Sequence, residues 1–206
     1  MSDGRRARIG VLISGSGTNL QAIMDACAEG RIDGEVVVVI SDKEAAYGLE
    51  RARKAGVDAV WIDRGEKGSP RDFNGAILEE LKARQVDLVV MAGYMRLLGR
   101  EVLRAYPHAV LNIHPALLPS FPGASGIDDA WAYGVKVTGV TVHFADEEFD
   151  TGPIIAQRAV EVREDDTRET LEARIHEVEH EIYPQVIQWW IEGRLEIEGR
   201  KVHVRG

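Results

Sequence analysis

The stretch Arg8-Ile-Gly-Val-Leu-Ile-Ser-Gly-Ser-Gly-Thr-Asn-Leu20 joins a short apolar run to a glycine-rich turn, and this junction indicates the fold class. The run at 8–13 is typical of a strand buried on both faces of a parallel sheet. A helical pattern follows over 19–29, and a second apolar, β-branched run occupies 35–40. A strand, a helix and a strand in this order predict a right-handed crossover between two parallel strands.

The same alternation continues along the chain. Ser69, Pro70 and Asp72 mark one helix start well, as N-cap, first helical residue and third helical residue. The pattern predicts helices around 46–55 and at 71–84, and strands at 59–62, 87–91 and 109–113. The fold class that follows is α/β, with a doubly wound, mostly parallel, Rossmann-like sheet and helices on both faces.

The pattern changes after a helix predicted near 126–134. Residues 137–144 and 154–162 alternate more strongly, which favours a later, partly antiparallel portion and therefore a mixed sheet. A long C-terminal helix is predicted to start at Asp166, with Glu169 three residues on in a capping box. Residues 195–204 predict a hairpin around Gly199.

Composition and charge limit the partners. A net charge of −9 and a pI near 5.2 argue against a nucleic-acid partner, because phosphate backbones favour clustered Lys and Arg. No apolar run approaches the roughly 18 residues of a membrane span, so we expect a cytoplasmic protein without membrane contact. Cys27 is the single cysteine, and it has no Cys or His partner at ligand spacing. We expect it to be a core residue, with no disulfide and no metal.

The turn at 14–20 favours anion binding. Its glycines let backbone N–H groups converge, and the following helix adds the positive end of its dipole. It matches neither common nucleotide motif, since Leu20 stands where the dinucleotide motif has its third glycine and Thr18 where the P-loop has lysine. The alternative is a tight turn that simply caps a helix.

Asn112 and His114 are candidate catalytic residues. Residues two apart in a strand face the same side, so both should reach the carboxyl edge of the sheet, where open α/β sheets bind ligands. Pro115 ends the strand, so His114 is expected at an exposed rim. An amide beside an imidazole can stabilise an oxyanion. Asp150 is a third candidate, although a turn role for Asp150 and packing roles for His114 and His143 are alternatives.

Several motifs in order resemble one family across almost the whole chain. They are Ile13-Ser-Gly-Ser-Gly-Thr-Asn-Leu-Gln21, Ala92-Gly-Tyr-Met-Arg96, Leu111-Asn-Ile-His-Pro-Ala-Leu-Leu-Pro119, Phe121-Pro-Gly123, Thr138-Gly-Val-Thr-Val-His143 and Asp150-Thr-Gly-Pro153. Together they are similar to the phosphoribosylglycinamide formyltransferase family, the folate-dependent enzymes of purine synthesis. One departure is Ser125, which stands where the family usually has a histidine.

The resemblance implies a set of site residues. Asn112, His114 and Asp150 match the catalytic trio. The ribonucleotide would be held by Gly17, Thr18, Asn19, His176 and Glu179. The folate would be held by Arg71, Met95, Arg96, Leu97, Leu98, Asn112, Asp146, Glu147, Glu148, Phe149 and Asp150. We expect a single domain over 1–206, with a phosphate-binding half at 1–108 and a catalytic, folate-binding half at 109–206.

The implied reaction moves a formyl group from 10-formyltetrahydrofolate, a co-substrate, to the amine of N1-(5-phosphoribosyl)glycinamide in de novo purine (IMP) synthesis, without a metal. The partners would be small molecules, and the protein a monomer or a homodimer. The alternatives are a formyltetrahydrofolate hydrolase, a methionyl-tRNA formyltransferase, and a non-catalytic module that binds folate or nucleotide.

Overall fold

The computed structural model describes residues 5–206 and shows one mixed sheet covered by helices. Within this range the strands are β1 (Ala7–Ile13), β2 (Gly34–Ser41), β3 (Asp58–Trp61), β4 (Leu88–Met91), β5 (Val110–His114), β6 (Val137–Phe144), β7 (Ile154–Glu161), β8 (Leu195–Glu198) and β9 (Lys201–Val204). The helices are α1 (Thr18–Ala28), α2 (Tyr47–Lys54), α3 (Pro70–Ala83), α4 (Arg100–Ala105), α5 (Gly126–Tyr133) and α6 (Arg168–Ile191).

The strands run in the order β3-β2-β1-β4-β5-β6-β7-β9-β8. The first five are parallel to one another, and β6 is antiparallel to both β5 and β7. The order reverses between β1 and β4, which creates the switch point where such sheets form a ligand crevice. The expectation of a doubly wound, mixed sheet with a C-terminal helix and hairpin is confirmed.

Alternating side chains of the strands divide the core between the two faces. In β1, Ile9, Val11 and Ile13 join the cluster that includes buried residues of α1 and α6, whereas Leu12 joins the cluster under α3 and α4. A strand buried on both faces needs apolar residues at successive positions. The continuous apolar run at 8–13 therefore reflects helices on both sides of the sheet.

Two helix starts test the capping predictions. The start of α3 is confirmed, since the Ser69 hydroxyl accepts a hydrogen bond from the Asp72 N–H at 3.1 Å and Pro70 is the first helical residue. The predicted start of α6 at Asp166 was wrong. Thr167 is the N-cap and forms a capping box with Thr170. The Asp166 carboxylate instead pairs with Arg174 further along the helix.

The structure also contains a short helix, α4, that the pattern did not predict. Its six residues offer only a turn and a half of periodicity, which is too short for a pattern to stand out. Among residues 5–206, no helix has both the length and the apolar character needed to cross a bilayer.

Candidate active site

A cleft of about 530 Å³ opens at the carboxyl edge of the sheet, beside the switch point. Most of its lining comes from four chain segments: the glycine turn after β1 (residues 14–19), residues 91–98 at and after the end of β4, the end of β5, and the loop between β6 and β7. His176 and Glu179 of α6 complete the wall. Segments far apart in the chain, and predicted separately, therefore share one cavity.

The glycine turn depends on the absence of a side chain at Gly17. This residue has φ of 71°, and a Cβ built on it would lie 2.7 Å from the Gly48 Cα. The turn is fixed from α2, since the Gly48 N–H donates to the Gly15 carbonyl at 3.1 Å and Arg51 Nε donates to the Ser16 carbonyl at 2.9 Å. No side chain caps α1 at Gly17. The first backbone N–H groups of α1 are therefore suited to bind an anion in the cleft.

Buried Asn19 and Glu179 form a polar cluster with the partly exposed His176 beside the turn. One oxygen of Glu179 accepts hydrogen bonds from Asn19 Nδ2 at 2.9 Å and from His176 Nδ1 at 2.8 Å. The contact with Glu179 raises the pKa of His176 above its ordinary value, against the opposing effect of burial. The Asn19 Oδ1 is buried without a hydrogen-bond partner among the described residues. Within the described part of the chain, the cluster thus keeps one buried acceptor without a donor.

The opposite wall is partly apolar. Met95, Leu97 and Phe149 line the cleft although about half of each side chain is exposed, whereas Leu98 is buried. Exposed apolar side chains grouped around a cavity are typical of a site for a flat, largely apolar ligand. Arg96 stands among them, and its Nε lies 2.6 Å from an oxygen of Asp42.

Asn112, His114 and Asp150 converge within hydrogen-bonding range. Asn112 and His114 leave β5 on the same face, as the strand period predicts. Asn112 Nδ2 donates to Asp150 Oδ1 at 3.3 Å, and His114 Nδ1 lies 3.5 Å from Asp150 Oδ2. The structure therefore brings together an amide and an imidazole from a strand and a carboxylate from a separate loop.

The expected exposure of His114 was wrong, because its relative exposure is only 3%. Its Nε2 donates to the Phe121 carbonyl at 2.7 Å, since a carbonyl oxygen can only accept. Gly126 packs against the ring, so a Cβ there would lie 3.0 Å from Nε2. The loop after Pro115 folds back over His114. The end of β5, which the sequence predicts to be exposed, is therefore covered by the residues that follow it.

The carboxylate of Asp150 is held ionised. Burial alone raises its pKa, but contact with His143, a hydrogen bond from the Gly123 N–H at 2.7 Å, and the charges of His114 and His143 lower it below its ordinary value. The donors to this carboxylate come from distant segments rather than from its own turn. The alternative of an aspartate that only bonds its own turn does not fit these contacts.

The contacts of His143 with the candidate catalytic residues were not predicted from the sequence. His143 pairs directly with Asn112 across β5 and β6. Its Nδ1 donates to the Phe144 carbonyl at 2.8 Å, while its Nε2 lies 3.1 Å from Asn112 Nδ2 and 3.5 Å from Asp150 Oδ1. The neutral ring accepts from Asn112, and the protonated ring donates to Asp150. Only the register between the strands reveals this role, which alternation alone does not supply.

Two predicted folate residues lie apart from the cleft. Neither Arg71 nor Glu147 is among the side chains that line it. Arg71 is exposed in the first turn of α3, and Glu147 pairs with Arg100 at 2.9 Å. Lys43 does line the cleft and was not predicted. Ser125 is exposed at the N-cap of α5 and makes no side-chain capping bond.

Comparison with known families decides the relationship. The model of a family described as Formyl transferase matches residues 7–187. The chain belongs to the formyl transferase family. The family resemblance read from the motifs is therefore confirmed over nearly the same span.

Relatives of this formyl transferase have been characterised in sequence and structure. This chain is 43% identical over 181 residues to the phosphoribosylglycinamide formyltransferase of Bacillus subtilis (strain 168), and the match covers 88% of this chain and 93% of that protein. The crystal structure of glycinamide ribonucleotide transformylase 1 from Symbiobacterium toebii is 56% identical, with a TM-score of 0.96, and the match covers 99% of this chain and 96% of the other.

A third relative is named for a different activity. The structure of a formyltetrahydrofolate deformylase from Pseudomonas syringae pv. tomato str. DC3000 is 27% identical to this formyl transferase, with a TM-score of 0.89. The match covers 98% of this chain but 67% of that chain. The same fold thus occurs in a relative named for removing a formyl group from folate.

Proposed function

We propose that this chain transfers the formyl group of 10-formyltetrahydrofolate to the amine of N1-(5-phosphoribosyl)glycinamide, a step of purine synthesis. One observation carries the proposal: Asn112, His114 and Asp150 meet in a cleft that also contains the glycine turn and an apolar wall. An anion-binding turn suits the ribonucleotide phosphate, and an apolar wall suits a pteridine. The names of the Bacillus subtilis and Symbiobacterium toebii relatives support the same acceptor and reaction.

The reaction is a direct attack. The acceptor amine forms a bond to the formyl carbon, the carbonyl electrons move to oxygen, and the bond to folate N10 then breaks. Asn112 and a protonated His114 would stabilise the oxygen of the tetrahedral species. Asp150 Oδ2 lies 3.5 Å from His114 Nδ1, where it orients the imidazole. A proton also passes from the amine to N10, a step that Asp150 or His114 could relay through water.

The hydrogen-bond donors of Asn112 and His114 are already bonded to other groups of the protein. His114 Nε2 donates to Phe121, and the Asn112 amide contacts both His143 and Asp150. The reacting oxygen must therefore take over one of these hydrogen bonds. The bond from Asn112 to Asp150 is the longest of them at 3.3 Å, so it should be exchanged at the lowest cost.

Each substrate would be held by its own group of residues. Gly17, Thr18, Asn19, His176 and Glu179 would hold the ribonucleotide. The folate would be held by Met95 to Leu98, Asn112, Asp146, Glu148, Phe149 and Asp150. We infer a single domain made of a phosphate-binding half (1–108) and a catalytic half (109–206). We also propose small-molecule partners without nucleic acid, a cytoplasmic location, and a monomer or homodimer.

A formyltetrahydrofolate hydrolase is the second candidate, because a deformylase shares the fold. It would use water at the same carbon and would have no need for an anion site at the glycine turn. A methionyl-tRNA formyltransferase fits less well, because a net charge of −9 disfavours tRNA.

The test measures products by mass spectrometry. The protein is incubated with 10-formyltetrahydrofolate, with and without glycinamide ribonucleotide. Formylated ribonucleotide, formed only when both substrates are present, is the expected result. Free formate formed at the same rate without the ribonucleotide would favour the hydrolase, and binding of both ligands without any product would favour a non-catalytic module.

A further inference from the structure

Asp42 is a buried carboxylate that the proposed reaction does not use. It follows β2 directly, and its side chain is only 2% exposed. An ionised carboxylate is costly to bury unless charged or hydrogen-bonding partners surround it. The partners of Asp42 therefore indicate why it is there.

These partners all lead to one wall of the cleft. Asp42 Oδ2 accepts from Arg96 Nε at 2.6 Å, and Oδ1 accepts from the Ser14 hydroxyl at 2.6 Å. The Ser14 Oγ in turn accepts from the Met95 N–H at 3.0 Å. One carboxylate thus fixes the side chain of Arg96 directly and the backbone of Met95 through a serine.

Beyond Ser14, its first residue, the glycine turn does not depend on this network. Its Gly15 and Ser16 carbonyls are held by Gly48 and Arg51 from α2. The two sides of the cleft therefore have separate supports. Loss of Asp42 should disturb the wall formed by Met95, Arg96, Leu97 and Phe149, called the donor wall here, and leave the turn in place.

We propose that Asp42 is a positioning residue for the formyl donor, which acts by holding Arg96 and the Met95 backbone of the donor wall. The proposal rests on the proposed function, because it takes the donor wall to be the folate side. Asp42 engages the Nε edge of the guanidinium, which leaves the Nη groups for polar atoms of the folate. An Arg96 without this support would lose much of its orientation before binding.

The test separates the two substrates. Steady-state kinetics with 10-formyltetrahydrofolate and glycinamide ribonucleotide should show for Asp42→Ala a KM for the donor raised about tenfold, as expected for lost charge-assisted hydrogen bonds. The KM for the ribonucleotide and kcat should change by less than about threefold. Glu44→Ala removes the same charge from an exposed neighbour and should change neither KM.

A conservative variant distinguishes positioning from charge. In Asp42→Asn the amide oxygen can still accept from Arg96, and the amide nitrogen can donate to the Ser14 Oγ, which still accepts from Met95. We expect a donor KM within about threefold of the wild type. Arg51→Ala should give the opposite selectivity, raising the ribonucleotide KM alone.

The outcomes are decisive in either direction. An Asp42→Ala protein with an unchanged donor KM, or with both KM values raised equally, would overturn the proposal. Should Asp42→Ala fail to fold, Ser14→Ala removes the link to Met95 and must raise the donor KM, otherwise the proposal is wrong. A wild type that formylates no ribonucleotide refutes the proposed function instead, a result visible before any variant is compared.

Discussion

The pair His176 and Glu179 is a titrating contact inside the candidate ribonucleotide site. Its 2.8 Å hydrogen bond raises the pKa of His176, while burial opposes the shift and Glu172 adds to it. A histidine whose pKa is higher in the folded state stabilises the fold fully below its unfolded value of about 6.5. That stability is lost as the pH rises through the raised value.

We therefore expect wild-type stability to contain a component that declines as the pH rises above the unfolded-state pKa of about 6.5. His176→Gln should lack this component, so its free energy of unfolding should vary less over that range. Urea denaturation at several pH values measures the difference, with His203→Gln in the exposed hairpin as a control. Parallel curves for wild type and His176→Gln would contradict the assignment.

Thr18 tests the anion site. It begins α1, where the helix N-terminus favours negative ligands. Thr18→Asp adds a like charge beside the proposed phosphate, so the KM for the ribonucleotide should rise by about tenfold or more, far more than that for the folate. Steady-state kinetics with each substrate varied in turn checks this. An unchanged ribonucleotide KM would remove the assignment.

At the scale of single residues, the sequence predicted which catalytic residues to look for but not all of their contacts. Asn112 and His114 were found because a strand has a period of two. Asp42 and the pairing of His143 with Asn112 were missed because both depend on which strands are neighbours, and in what register. The burial of His114 was missed because the covering loop is a tertiary contact.

Among contacts between secondary-structure elements, the glycine turn packs against α2 where Gly17 meets Gly48. The Gly17 position leaves no room for a Cβ, which would lie 2.7 Å from the Gly48 backbone. Gly30 has a similar φ of 74°, but a Cβ added there would have no other atom within 4 Å. An alanine would therefore be strained at both positions but crowded only at position 17.

Gly30→Ala should cost about 1–2 kcal/mol of stability, the cost of a left-handed conformation for an L-residue. Gly17→Ala should cost more than that and should also raise the KM for the ribonucleotide, because the turn must shift away from α2. Urea denaturation and kinetics on both variants make the comparison. Equal losses of stability with unchanged kinetics would show that crowding at Gly17 is unimportant.

Local signals predicted elements well where they were unambiguous. Ser69 and Pro70 gave the start of α3 because an N-cap and an N1 proline coincide there. The start of α6 was placed too early because Asp166 and Thr167 are both good caps. The salt bridge of Asp166 with Arg174 takes the aspartate away from the helix end, a contact that only the folded helix creates.

Across the whole molecule, Tyr183 ties the long helix to the sheet. It is fully buried, and its hydroxyl lies 2.9 Å from the Met91 carbonyl and 3.0 Å from the Leu111 carbonyl. These carbonyls belong to β4 and β5, which come from the two proposed halves of the chain. The side chain thus connects both halves next to the cleft.

Tyr183→Phe should lower the free energy of unfolding by about 1–3 kcal/mol, because buried carbonyls lose a donor while the ring still fills its space. Tyr133→Phe, at a tyrosine that is 79% exposed, should have little effect. Denaturation in urea compares them. A Tyr183→Phe protein as stable as the wild type would mean that the hydroxyl adds nothing to the connection.

The overall architecture was the most predictable feature. Continuous apolar strands alternating with helices leave few arrangements, and the change of pattern after 134 marked the antiparallel strands. The position of the cleft followed from the switch point. Its wall could not be derived in full, since residues such as Lys43 reach it only through the way the loops fold.

The rate of formyl transfer in wild type, His114→Ala and Asp150→Asn is the sharpest test of the proposed catalytic trio. Formylated glycinamide ribonucleotide is measured under single-turnover conditions, with the binding of each substrate measured separately. We predict that both variants bind the substrates but transfer the formyl group about a hundredfold or more slowly relative to the wild type. Product formed equally fast by all three proteins would contradict the roles assigned to His114 and Asp150.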